Sequence, residues 1–237
     1  LREALDLVRR EQTHLNYWST YQRIQRLNLK ALKIPDEKRI RVALLSSFTI
    51  DPLGMYIDVE SRLVGLYPEV YIGPFNQYQQ EILNDGSGLY AFKPDLVILA
   101  VEAESLLGKN FHSEFVKLSR EEKGRRQTEI LDRFSALLSR LTSKMKAIVL
   151  VNNLIVPSFT PLGILDNKTD LGLRGFYQGL NRALVDLYRE SNRVYVVDIE
   201  GAASKHGKER CVNYQMYYRG SFGFSESFLR VVAWEYM

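Results

Sequence analysis

The chain has 237 residues, 46% hydrophobic and 25% charged, which fits one globular α/β domain with a sizeable core and excludes a disordered or fibrous chain. Its formal charge of +4, from 32 Lys and Arg against 28 Asp and Glu, is too small and too evenly spread for a nucleic-acid footprint, yet it would favour a small acidic partner. A single cysteine, Cys211, excludes an intrachain disulfide and a thiolate metal cluster and points to a reducing cytoplasm. No apolar run reaches the ~18 residues of a membrane span, and the charged start LREALDLVRR is no signal peptide. The chain starts at Leu1 and stops at VVAWEYM without a polar tail, which reads as a domain excised from something longer.

Residues 2–33 carry apolar residues at helical spacing, with Ser19 or Thr20 as a possible break. Pro35 in KIPDEKR ends that part, so the expected division is an N-terminal helical arm, 1–36, and an α/β domain, 37–237. The arm is expected to pack on the sheet domain or a neighbouring domain, with dimerisation as the other use of its helices. Short apolar runs then alternate with amphipathic ones. The expected strands are 41–46, 69–73, 95–101, 146–152 and 193–199. The expected helices are 53–66, 76–84, 104–118, 121–143, 171–190 and 225–237. Strands apolar on both faces and separated by helices predict a three-layer α/β/α domain around a five-stranded parallel sheet, flavodoxin-like in outline.

In such sheets ligands bind beyond the carboxyl ends of the strands. That rule selects Ser46, Ser47 and Thr49 after the first strand, Phe75 and Asn76 after the second, Glu102 and Glu104 after the third, Asn152 and Asn153 after the fourth, and Asp198 and Glu200 after the fifth. Each either lines a pocket or merely caps a helix or turn. A serine nucleophile needs a base, and the chain has 3 histidines. His14 and His112 read as solvated or packed. His206 could complete a set with Ser47 and Asp198, although SKHGKE also reads as a helix end capped by Gly207. Cys211, near Lys208 and Arg210, is either a thiol of lowered pKa or a small buried residue. No metal site is expected.

The order Ser, Asn, Asp, His on a five-stranded parallel sheet resembles the SGNH (GDSL-type) hydrolases, but their blocks are degraded. LLSSFT offers Ser47 without Gly and Asp, ILAVEAESL has glutamates where Gly-x-Asn-Asp belongs, and the final Asp-x-x-His falls on Asn213 and Met216. A fuller resemblance runs through VALLSSFTIDPL, IGPFNQYQQEIL, SGLYAFKPDLVIL, GLNRAL with VYVVDIEG, and YQMYYRGSFGFSESFL. These segments look like the N-terminal, SGNH-fold domain of FkbH-like proteins. The resemblance implies cytoplasmic enzymes of polyketide-type biosynthesis. A second, haloacid-dehalogenase (HAD)-like domain takes a glyceryl unit from 1,3-bisphosphoglycerate, releases phosphate and loads the unit onto the phosphopantetheine thiol of an acyl carrier protein. That domain opens with an Asp-x-Asp magnesium site, a pattern absent from this sequence. Mg is therefore expected only in a downstream domain, and no cofactor here.

The expected role is an accessory or recognition module that meets an acyl carrier protein and the adjoining HAD-like domain, with no nucleic acid and no membrane as partners. Its expected pocket comprises Ser46, Thr49, Phe75, Asn76, Glu102, Asn152, Asn153, Asn213 and Tyr217. The alternatives are an active acyltransferase or esterase using Ser47, Asp198 and His206, or a scaffold whose pocket is filled by Phe48, Phe75 and Tyr214.

Overall fold

The computed structural model describes residues 1–27, 34–108 and 110–237, with the side chains of Tyr214, Tyr217 and Tyr218 outside the description. The first two elements are α1 (Arg2–Arg10) and α2 (His14–Arg26). The break expected at Ser19 or Thr20 falls earlier, because the Thr13 hydroxyl accepts the Asn16 N–H and starts a new helix there. Thr20 is instead buried and donates to the Ala4 carbonyl, tying α2 to α1. The end of the expected helix 2–33 lies outside the described residues.

All five expected strands form: β1 (Arg39–Ser46), β2 (Tyr67–Ile72), β3 (Leu96–Ala100), β4 (Ile148–Asn152) and β5 (Val194–Val197). They pair in parallel in the order β2-β1-β3-β4-β5. Alternation along β1 sends Val42 and Leu44 to one face and Ala43 and Leu45 to the other, and both faces are covered. The first face meets α3 (Asp51–Leu63), α10 (Ile199–His206) and α12 (Glu226–Glu235). The second meets α4 (Tyr78–Leu83), α5 (Gly88–Phe92), α8 (Arg120–Lys144) and α9 (Leu173–Tyr188). Among the described residues no helix is long and apolar enough to cross a membrane.

Two differences from the sequence reading matter for the site. The single helix expected at 104–118 is α6 (Ala103–Leu107) and α7 (Phe111–Glu114) followed by one 3-10 turn, because Gly108 takes φ +90° and ends α6. The strand expected at 193–199 stops at Val197, because Asp198 turns its carboxylate onto the Gly201 N–H and caps α10. A further short helix, α11 (Tyr214–Gly220), precedes α12.

The helical arm packs on the sheet domain. Val8, Tyr17 and Ile24 are fully buried and share one apolar cluster with Val42, Leu44 and Leu53. The Tyr17 hydroxyl donates to the Glu60 carboxylate of α3. Truncating Ile24→Ala should therefore destabilise the whole chain by about 2–5 kcal/mol. Urea unfolding followed by tryptophan fluorescence should show one transition with a lowered midpoint, whereas a second, unshifted transition would mean that the arm and the sheet unfold separately.

Candidate functional site

The chain runs from β1 to β2 on one side and then to β3 on the other, so the crevice beyond β1 and β3 is the switch point where open α/β sheets place ligands. A cavity of about 520 Å³ lies there, within the roughly 300–1,000 Å³ of ligand pockets. Phe48 follows β1, Glu102 follows β3, Asn152 and Asn153 close β4, and Ile199 follows β5 on its wall. Leu107, Phe111, His112 and Tyr177 form the opposite side, and Gly223 and Phe224 cover it from the segment before α12. A Cβ on Gly223 would meet Glu102 Oε1 at 2.1 Å and the Phe48 ring at 2.7 Å, so only glycine allows that segment to close down.

The hydroxyls after β1 are joints rather than reagents. Ser47 Oγ accepts the Glu102 backbone N–H at 2.9 Å, and its own N–H donates to the Ala100 carbonyl at 3.2 Å. Ser46 Oγ donates to the Phe48 carbonyl. Thr49 donates through Oγ1 to the Gly220 carbonyl at 2.6 Å and through N–H to Ser221 at 2.9 Å, fastening the end of α11 to the β1 loop.

The Ser47, Asp198 and His206 set is not assembled. Asp198 Oδ1 accepts from Asn153 Nδ2 at 2.7 Å and from the Gly201 N–H at 2.9 Å. His206 points to Ser227 Oγ at 3.2 Å and lies against the Phe228 ring, and Gly207 at φ +97° ends its helix. Asn153 Oδ1 accepts the Glu200 N–H at 2.8 Å, so that amide clamps β4 to α10.

Other candidates also serve the fold. Asn213 Oδ1 accepts the Gln215 and Met216 N–H groups at the start of α11. Phe75 is 53% exposed and Asn76 sits at φ +52° in the turn after β2, and neither lines the cavity. Phe75 therefore does not fill the pocket. Cys211 is 1% exposed, and burial pushes its thiol up to about 11 against the opposing charge of Lys208, which makes it a packed residue. The side chains of Tyr217 and Tyr214 lie outside the described residues. Of the expected pocket residues, the cavity wall holds Glu102, Asn152 and Asn153.

The wall also contains groups that sequence reasoning missed or set aside. His112 Nε2 lies 2.7 Å from the buried Tyr177 hydroxyl. Burial pushes the imidazole towards its neutral form and raises the phenol. No local pattern brings residue 112 to residue 177; the break at Gly108, which turns α7 towards α9, was the available signal. Glu102 is the most perturbed acid on the wall: burial, and secondarily the charge of Glu104, raise it to about 7. Among the described residues no Ser, Thr or Cys lines the cavity, and none form a group of three or more His, Cys, Asp or Glu able to hold a metal. The arrangement can hold a ligand and exchange a proton at Glu102, but among the described residues it offers no serine, threonine or cysteine to accept an acyl group.

Comparison with known proteins agrees with the resemblance read from the sequence. The model of the family described as FkbH, N-terminal domain, matches residues 41–237. A solved structure, the N-terminal part of the protein BF1531 from Bacteroides fragilis containing a phosphatase domain complexed with Mg, is similar with a TM-score of 0.74 at 18% identity. That similarity covers 91% of this chain and 54% of that one, so the present chain spans about half its length. An acetyl xylan esterase, AlAXEase, has a TM-score of 0.48 at 14% identity, covering 83% of this chain and 98% of its own. A GDSL-like lipase from Bacteroides thetaiotaomicron has a TM-score of 0.41 at 15% identity, covering 91% and 94%. No curated protein matches.

A carboxyl raised in the folded state favours folding below its unfolded pKa, and that advantage is lost as pH rises through the folded value. For Glu102 the window runs from about 4.5 to about 7. Glu102→Gln should accordingly stabilise the chain by on the order of 2–3 kcal/mol at pH 8 and by little at pH 4.5. Paired urea melts at the two pH values measure the difference; an equal effect at both would place the cost elsewhere than in the carboxylate charge.

Proposed function

Since this chain belongs to the family of FkbH N-terminal domains, we propose that it is the recognition half of an FkbH-like enzyme that loads a glyceryl-type acyl unit onto an acyl carrier protein in polyketide-type biosynthesis. The observation that carries this reading is the cavity wall, which presents aromatic and aliphatic surface, carboxyls, amides and the His112–Tyr177 pair, but among the described residues no serine, threonine or cysteine to receive an acyl group. Acyl transfer without such a group needs chemistry supplied by another domain. The phosphatase domain of the similar BF1531 protein supports an adjoining HAD-like partner, which would hold the Mg ion and the acyl donor. The net charge of +4 suits an acidic carrier protein, which such a charge would steer and orient. The proposed setting is the cytoplasm, where carrier protein and acyl phosphate would both be found.

Titrating an acyl carrier protein into the chain at low and at high salt tests the docking. Binding at low salt that weakens several-fold at high salt is expected, and no binding at low salt overturns it. A fluorophosphonate probe should leave Ser46 and Ser47 unlabelled; modification of either would restore the esterase alternative.

A further inference from the structure

The cavity is chemically one-sided in a way that selects a ligand. The Glu102 carboxyl lines it and accepts no hydrogen bond from any described residue, while Glu104 lies close enough to repel it. Asn152, only 5% exposed, uses Oδ1 to accept the Tyr236 hydroxyl at 2.7 Å, and its Nδ2 donates to no described residue. An amide donor so placed can give its proton to an acceptor on the ligand. Around these two groups stand Phe48, Phe111 and Phe224, and among the described lining residues there is no Lys or Arg.

The spacing of the two polar groups follows from the sheet. Leu99 pairs with Val151, which sets Asn152 beside Ala100 and leaves Glu102 two residues further on. The two backbone positions are therefore separated by about 4.8 Å across the sheet and about 6.6 Å along it, a gap that several single bonds span. An ammonium would satisfy the buried carboxyl, with aromatic faces supplementing the attraction, and a carbonyl oxygen would take the Asn152 proton. A phosphate or carboxylate would meet the Glu102 carboxylate.

We infer that this cavity binds an organic ammonium with an apolar body and a carbonyl oxygen several bonds from the nitrogen, that is, an aminoacyl amide or ester, and that it rejects anions. The inference rests on reading the cavity as a recognition site and is independent of carrier docking. The ligand of this cavity is then distinct from the glyceryl-type unit, which carries no ammonium, and from the phosphorylated donor of the adjoining domain.

The probe is δ-aminovaleramide, compared with valeramide, which lacks the ammonium, pentylamine, which lacks the carbonyl, δ-aminovalerate, which carries a carboxylate, and inorganic phosphate, each titrated calorimetrically into the full chain. At pH 8 δ-aminovaleramide should bind about tenfold more tightly than valeramide, with pentylamine between them, and neither inorganic phosphate nor the zwitterion δ-aminovalerate should give heat. The other titratable groups facing Glu102 are Glu104 on α6, His112 on α7 and Tyr177 on α9. Burial favours the neutral form of both His112 and Tyr177. Since Glu102 is raised to about 7, its ionised fraction falls roughly tenfold from pH 8 to pH 6, and the amine advantage should fall with it. Glu102→Gln should equalise δ-aminovaleramide and valeramide. The wild-type ligand series stands without the variant should that variant misfold. Equal binding of amide and amino-amide, tighter binding of phosphate or δ-aminovalerate, or no binding by any ligand overturns the inference. Lost carrier docking with the amine preference intact would instead overturn the preceding reading alone.

Discussion

The hydrogen bond from the Glu102 backbone N–H to Ser47 Oγ is the joint on which the site depends. It ties the end of β1 to the end of β3, the two strands between which the sheet reverses its order, and it holds the first turn of α6 at the cavity edge. A parallel sheet covered on both faces leaves polar side chains little room except at its strand ends. Each such group must then find a partner or line a wet space. Ser47 takes the first course and the Glu102 carboxyl the second, so one short contact both closes the fold and opens the pocket.

The other strand ends follow the same division. Asn153 joins Asp198 to the Glu200 N–H, Glu200 accepts the Val156 N–H at 2.6 Å, and Lys208 pairs with Glu200 while donating to the Val156 carbonyl at 2.7 Å. This network fixes the exit of β4 against α10 and engages Asp198, the acid of the hydrolytic reading, while His206, its base, meets Ser227 instead. A polar cluster at strand ends is thus a structural necessity first, and a reaction centre only if some of its members are spared that duty.

The sheet was legible because β1 and β3 are apolar on both faces, a pattern that depends on local sequence alone. Gly207 as the end of a helix was legible for the same reason. The cavity was only partly so. Glu102 and Asn152 could be named from their places after β3 and β4, but whether a strand-end group faces a void or a neighbour is decided by contacts across the fold. Ser47 and Asp198 looked reactive by position and proved to be engaged in joining strand ends and capping α10. His112 and Tyr177 looked incidental, and they became neighbours only because Gly108 breaks the helix that periodicity had drawn straight through it.

The close approach of Gly223 to Glu102 and Phe48 gives the domain a volume control separate from its framework. The segment carrying it crosses the mouth of the cavity without belonging to the sheet or to any helix. One added methyl there would push the roof outward or the carboxyl aside while every strand kept its register. Relatives could therefore diverge in what they admit through this single backbone position, with the same sheet beneath.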